Sequence, residues 1–198
     1  MNLNVRLFDA ALSDKFNYVN DLLLKGEIAA GKHIDDIEIW YSRYHESESS
    51  YAFANMTVAI RELLLSLGVT NKSTVACHPF CCLSSTAAIA EIGAKILWLD
   101  FDVAGPWISV SGLNSLDCKI DILFNYNVGG YSGCLDKIDT FCSDHNIHHI
   151  NDCNASSLSM YQKKPVGSYG DFSVHSNYPN RHLRSIDGGI IVCNKNKH

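Results

Sequence analysis

The chain has 198 residues, of which 46% are hydrophobic and 19% charged, and its formal net charge is −5. This composition excludes a disordered chain, and the length suits one buried core, so we expect a single domain over residues 1–198. The basic residues are scattered, which argues against nucleic acid as a partner. The N-terminus lacks the apolar core of a signal peptide, and no apolar run is long enough to span a membrane, so we expect a cytoplasmic protein without membrane contact.

The first part of the chain carries helical patterns that end at glycine. Leu22 to Leu24 run into Gly26, and glycine readily adopts the left-handed conformation that ends helices. Apolar residues then recur twice at helical spacing, with a short strand predicted between the two segments. The predicted elements are a helix ending at Gly26, a helix over residues 33–44, a strand over 51–54 and a helix over 57–67.

From residue 74 onward, strands and helices alternate. The predicted strands cover residues 74–77, 95–100, 120–124, 147–152, 172–176 and 189–193, and the predicted helices cover 84–92 and 135–145. The first three of these strands are each apolar enough to be buried on both faces of a sheet. Strands separated by helices predict an α/β fold, a three-layer αβα sandwich with a mostly parallel sheet.

The eight cysteines do not point to a disulfide framework, because the core is adequate without cross-links. We expect reduced, buried thiols. One alternative is a zinc site, since nitrogen and sulfur ligands lie close together in one stretch. Adjacent residues of a strand point to opposite faces, however, so His148 and His149 cannot both serve one tetrahedral site. The residues of this alternative are Cys142, His145, His148, His149 and Cys153.

Two places at the ends of predicted strands could hold a ligand, because ligands bind there in open parallel sheets. Asn55, Met56 and Thr57 begin a helix, so their backbone N–H groups and the Thr57 hydroxyl could hold a phosphate. An ordinary helix cap explains the same residues. Asp152 ends a strand, where its carboxylate could pair with the protonated ring nitrogen of a cofactor. A turn-forming role is an equal alternative.

A family resemblance rests on four motifs in order. Residues 176–183 read SNYPNRHL and residues 186–189 read IDGG. The DegT/DnrJ/EryC1/StrS family of pyridoxal phosphate-dependent sugar aminotransferases typically reads SFYPTKNL and then GEGG. Upstream, VGSYGD at 166–171, GAK at 93–95 and NDC at 151–153 resemble the family's VGSFGD, GAKP and EDA. The chain therefore resembles the large, cofactor-binding domain of these fold type I enzymes, without their C-terminal small domain.

The resemblance implies roles for several residues and also shows departures. The family's Schiff-base lysine matches Arg181, and a guanidinium, which stays protonated, cannot form that bond. Ser176 and the loop of Asn55, Met56 and Thr57 match the phosphate site, where bulky Met56 replaces a small residue and narrows the access. Asp152 matches the partner of the pyridine nitrogen. Two ring contacts are lost, because Cys82 matches the stacking aromatic residue and Ala155 a glutamine or histidine.

These departures give two expectations about function. The first is a degenerate homologue that does not transaminate, acting in or beside the synthesis of surface-polysaccharide sugars. The second is an enzyme that uses pyridoxal or pyridoxamine phosphate without this lysine, either a sugar dehydratase with His182 as its base or an aminotransferase completed by a partner chain. The resemblance further implies a nucleotide-sugar or other small-molecule ligand and a homodimer or partner subunit.

Overall fold

The computed structural model describes residues 13–27 and 31–194, and the predicted alternation of helices and strands is present within them. The helices are α1 (Ser13–Leu24), α2 (Lys32–His45), α3 (Met56–Ser66), α4 (Leu83–Ile92), α5 (Val110–Asn114) and α6 (Leu135–His145). The strands are β1 (Ser49–Phe53), β2 (Thr74–Cys77), β3 (Lys95–Trp98), β4 (Ile122–Tyr126), β5 (His148–Asp152), β6 (Met160–Tyr161), β7 (Lys164–Pro165), β8 (Phe172–Ser176) and β9 (Gly189–Cys193).

The main sheet of the described residues has the strand order β1-β9-β8-β5-β4-β2-β3. β9 runs antiparallel to its neighbours β1 and β8, whereas the other neighbouring strands pair in parallel. β6 and β7 form a separate antiparallel hairpin. The predicted mostly parallel sheet is confirmed. Because β1, β2 and β8 run in the same direction, the loops that follow them lie along one edge of the sheet.

Helices cover both faces of this sheet. On one face, α3 and α4 pack against alternate strand residues, which include Val75 and Ile191. On the other face, α5 and α6 contact Ala76 of β2, and Tyr41 of α2 packs against Ile190 of β9. Successive strand residues thus point into different layers, as the pleat of a strand requires. The fold is the predicted αβα sandwich.

The prediction of burial on both faces, made for the strands over 74–77, 95–100 and 120–124, is wrong for β3. This strand lies at the edge of the sheet, where it pairs with β2. Lys95 and Trp98 are exposed, and Trp98 keeps 54% of its surface accessible. Burial on both faces requires helices on both sides, and the edge position leaves the ends of β3 open to solvent.

The short helix α5 and the β6–β7 hairpin are absent from the sequence-based prediction. α5 is only five residues long and contains Gly112, but the Ser109 hydroxyl caps it by accepting a hydrogen bond from the Gly112 N–H at 3.2 Å. The β6–β7 hairpin turns through Gln162 and Lys163, whose φ angles are +48° and +66°. Glycine or asparagine usually marks such turns, so these two residues gave no turn signal.

Candidate functional site

A cavity of about 620 Å³ opens at the edge of the sheet where β1 and β8 end. Six of the residues predicted from the sequence line it, so the fold brings together segments that lie more than a hundred residues apart. These six residues are Asn55, Met56, Thr57, Cys82, Ser176 and Arg181. A cavity of about 450 Å³ at the opposite edge is lined by none of the predicted catalytic or cofactor-binding residues, although His145 and His148 of the zinc alternative lie in its wall.

The first turn of α3 forms one wall of this cavity. Asn55 is the helix cap, because its side-chain oxygen accepts a hydrogen bond from the Val58 N–H at 2.9 Å. The cap and the phosphate interpretation coexist, since Met56 and Thr57 still lie at the positive end of the helix. Met56 is only 6% exposed and packs in the core cluster. Most of the Met56 side chain therefore packs in the core. The sequence had suggested that this side chain narrows the access to the phosphate site.

Gly189 allows this turn of α3 to approach the sheet. A Cβ atom at Gly189 would lie 2.6 Å from the backbone carbon and oxygen of Asn55 and 2.7 Å from the Met56 Cα. Neither backbone segment can move without displacing α3 or β9. The glycine that begins β9 therefore sets the position of the candidate phosphate site.

Asp152 lies at the end of β5 and is completely buried. Its Oδ1 accepts a hydrogen bond from the Asn154 N–H at 3.0 Å, and its Oδ2 accepts one from the Ser85 hydroxyl at 3.0 Å. Burial raises the pKa of Asp152 to about 6, although these hydrogen bonds and the charge of Arg181 act in the opposite direction. Asp152 is not among the residues that line the cavity. Its carboxylate is hydrogen-bonded by Asn154 and Ser85 inside the protein.

Ser85 was missed in the sequence. It is fully buried on α4, on the same side of the helix as the core residues Ala88 and Ile89. A polar residue on an apolar helix face is the signal that could have identified it, because a buried hydroxyl needs a partner.

Arg181 lines the cavity, and its neighbour His182 does not. The Arg181 Nε is shielded from solvent and has no hydrogen-bond partner among the described residues. The positive charge nevertheless acts on its surroundings, since it lowers the pKa of both Asp152 and Tyr126 against the raising effect of burial. His182 is exposed. The structure thus places a guanidinium, and no imidazole from this pair, in the cavity wall.

Cys82 precedes α4 as its N-cap residue and is exposed to the cavity. A thiol at this position offers no flat surface for stacking against a ring. Ala155, the second departure noted in the sequence, is half-buried and does not line the cavity. Neither residue supplies an aromatic contact.

All eight cysteines are free, as expected, but burial was overestimated. Cys82 and Cys118 are exposed, because each lies in a loop or at a helix end. In the zinc alternative, His148 is exposed while His149 is buried with its Nδ1 2.7 Å from Asp139 Oδ1, so the two rings point apart as predicted. Within residues 13–27 and 31–194, no group of three or more metal-binding side chains comes together.

Residues 10–198 match the DegT/DnrJ/EryC1/StrS aminotransferase family. The chain belongs to this family. GDP-perosamine synthase from Vibrio cholerae is 25% identical over 179 residues, which cover 89% of this chain and 49% of that enzyme. The chain therefore spans about half the length of the relative it matches. In the described part of the chain, no helix has the length and apolar character needed to cross a membrane.

Solved structures of other proteins share the fold. An aminotransferase from Psychrobacter cryohalolentis superposes with a TM-score of 0.87 at 21% identity, covering 95% of this chain and 49% of that one. The E. coli GDP-4-keto-6-deoxy-D-mannose-3-dehydratase, solved with bound hydrated pyridoxal phosphate, gives 0.85 at 16% identity and covers 98% and 52%. Proteins that share this fold thus include an aminotransferase and a sugar dehydratase.

The residues of the cavity fit one part of pyridoxal phosphate and not the other. The α3 N-terminus with the hydroxyls of Thr57 and Ser176 provides donors suited to a phosphate. No lysine is among the described residues that line the cavity, so the lining offers no nucleophilic amine for a ring. The carboxylate of Asp152 is enclosed by Ser85 and Asn154. A phosphate group fits this site, whereas a covalently held pyridine ring does not.

Proposed function

We propose that this chain is a family member that does not transaminate and that binds a phosphorylated small molecule non-covalently, in or beside the synthesis of surface-polysaccharide sugars in the cytoplasm. One observation carries the proposal: a guanidinium, Arg181, lines the cavity. The sequence motif matches this residue to the family's Schiff-base lysine. The described residues form a single large-domain unit.

The phosphate site supports this role. Thr57, Ser176 and Arg181 present two hydroxyls and a permanent cation to the same cavity, and a charged donor strengthens hydrogen bonds to phosphate. A nucleotide sugar or a coenzyme phosphate carries the matching anion. The ligand is held by contacts and not by a covalent bond, so it exchanges freely.

The test is calorimetric titration with pyridoxamine 5'-phosphate and, separately, GDP. We expect at least one of them to bind, and Thr57→Val and Ser176→Ala each to weaken its affinity about fivefold to tenfold, because each removes one hydrogen bond of roughly 1 kcal/mol. His182→Asn serves as the control and should leave the affinity unchanged. Failure of both ligands to bind, or equal affinity in all variants, would contradict the proposed site.

A lysine-free dehydratase is the second candidate, and His182 decides between the two. A general base must come within hydrogen-bond reach of the proton that it removes. His182 is exposed and does not line the cavity. The non-transaminating binding protein is therefore the better supported function.

We also propose that two copies of the chain associate at the cavity edge. Exposed apolar side chains follow β2 and β3 there, and the rings of Phe80 and Phe101 stack on each other at 5.5 Å. Leu83 is 81% exposed and lies next to Cys82 of the cavity wall. Exposed large apolar side chains at one edge of a fold are typical of a protein interface.

Sedimentation analysis tests the association. We expect a dimer for the wild type and a shift towards monomer for Leu83→Lys, because a lysine at the interface would leave its charge poorly solvated. Leu65→Lys, at an exposed position on α3, is the matched control and should remain dimeric. A monomeric wild type would refute this arrangement.

A further inference from the structure

The loop that carries Arg181 is closed by the backbone of a single residue. Asn177 directly follows β8, and its N–H donates a hydrogen bond to the Gly188 carbonyl at 2.9 Å. Its own carbonyl accepts a hydrogen bond from the Ser185 N–H at 2.6 Å. Both ends of the loop over residues 178–188 are therefore joined at Asn177.

The side chain of Asn177 extends this closure to another layer of the fold. Its Nδ2 donates to the Leu183 carbonyl at 2.7 Å and to the Tyr41 hydroxyl at 3.2 Å. An amide NH₂ group has two hydrogens, so it can serve both acceptors. Asn177 is 5% exposed and Tyr41 is fully buried, so water does not compete strongly for these bonds. The loop is thereby tied to α2.

The tie lies close to Arg181 in the chain. Leu183, two residues further on, packs against the cluster of Tyr41, Ile190 and Val192. On the other side, the Arg181 N–H donates to the Tyr178 carbonyl at 2.9 Å, which forms a tight turn. The backbone of Arg181 is thus held from both directions, and this limits where the guanidinium can lie.

We propose that Asn177 is a positioning residue: its carboxamide ties the loop to Tyr41 of α2 and so holds the Arg181 guanidinium in the cavity. This inference rests on the proposed phosphate-binding function. Asn177 itself does not line the cavity, so it acts on a ligand through Arg181.

A double-mutant cycle separates positioning from a general structural role. Asn177→Asp keeps the size of the side chain but removes both donated hydrogen bonds. In the wild-type background we expect it to weaken binding of pyridoxamine 5'-phosphate about tenfold, and in the Arg181→Gln background less than about twofold. Asn114→Asp, at an exposed position at the end of α5, controls for the added charge. An equal loss in both backgrounds would overturn the proposal.

A second measurement needs no ligand. Hydrogen exchange followed by mass spectrometry should show that Asn177→Asp speeds exchange at least about tenfold in residues 178–188, while β8 keeps its wild-type rate. Tyr41→Phe, which removes one acceptor, should give a smaller increase. Unchanged exchange in the loop would overturn the proposal even if the ligand binds. If the wild type binds no phosphate compound, the proposed function fails, and exchange still tests the tie.

Discussion

Between pH 6.5 and 4, the free energy of unfolding is expected to fall by roughly 3 kcal/mol more for the wild type than for a His45→Gln variant. His45 is 1% exposed, and both of its ring nitrogens lack hydrogen-bond partners among the described residues. Burial lowers its pKa from 6.5 to about 4. The ring centroid of His175, another buried histidine with a strongly lowered pKa, lies 4.7 Å away.

The direction of this pH effect follows from the number of protons that the folded and unfolded states bind. In the unfolded chain His45 takes up a proton near pH 6.5, whereas in the folded chain it does so only near pH 4. The unfolded state therefore binds more protons in this window, and stability falls as the pH falls. Above pH 6.5 the imidazole is neutral in both states, and its contribution is fully present.

The titration of Asp152 changes the stability in the opposite direction, so the pH dependence of the wild type must be compared with that of the His45→Gln variant. Its raised pKa, about 6, means that the folded state binds the extra proton between about pH 6 and 3.8, which favours folding in acid. Denaturant unfolding gives the free energy of unfolding of both proteins at several pH values. The contribution of Asp152 is the same in both and drops out of the difference. Ser143→Gln, at an exposed position on α6, controls for the introduced glutamine, and its free energy of unfolding should vary with pH as in the wild type. If the free energy of unfolding of His45→Gln falls with pH as steeply as that of the wild type, this account of the buried His45 is refuted.

Arg181→Gln is expected to weaken binding of a phosphorylated ligand about tenfold to a hundredfold. The reason is the loss of a charge-assisted hydrogen bond worth roughly 1.5–3 kcal/mol. The same change should raise the pKa of Asp152 further, because the Arg181 charge now lowers it. Calorimetry with pyridoxamine 5'-phosphate measures the affinity, and infrared titration of the carboxyl measures the pKa.

Arg184→Gln is the matched control for this experiment. Arg184 lies on the same loop, but it is exposed and does not line the cavity. It should bind the ligand with wild-type affinity. Equal losses for Arg181→Gln and Arg184→Gln would mean that the net charge of the loop, and not a contact in the cavity, attracts the ligand.

Much of the fold could be predicted because its signals are local. β2, β8, β9 and α6 begin and end where the sequence placed them, since apolar runs with clear ends leave little choice. β4 lies at Ile122–Tyr126, two residues beyond its predicted start and end. The last two residues, Asn125 and Tyr126, carry polar groups and gave no sign of a strand. They belong to the strand because they pair with β5.

The candidate site was harder to predict, because its contacts join distant segments. Sequence motifs identified Asp152 and Arg181, yet they carried no information that Ser85, 67 residues away, holds the Asp152 carboxylate. The tie between Asn177 and Tyr41 spans 136 residues. Such pairs are visible only in the folded structure, which packs α4 against the end of β5 and α2 against the residue after β8.

The chemistry at position 181 is tested most directly by borohydride trapping. The wild type is incubated with pyridoxal phosphate, reduced and mapped by peptide mass spectrometry, with Arg181→Lys as the positive control for attachment at that position. We expect the Arg181→Lys peptide to carry the coenzyme at a defined stoichiometry, and the wild type to carry none beyond scattered surface labelling. A wild-type chain that is stoichiometrically labelled at one of its own lysines would contradict the central claim that this protein works without a covalently held coenzyme.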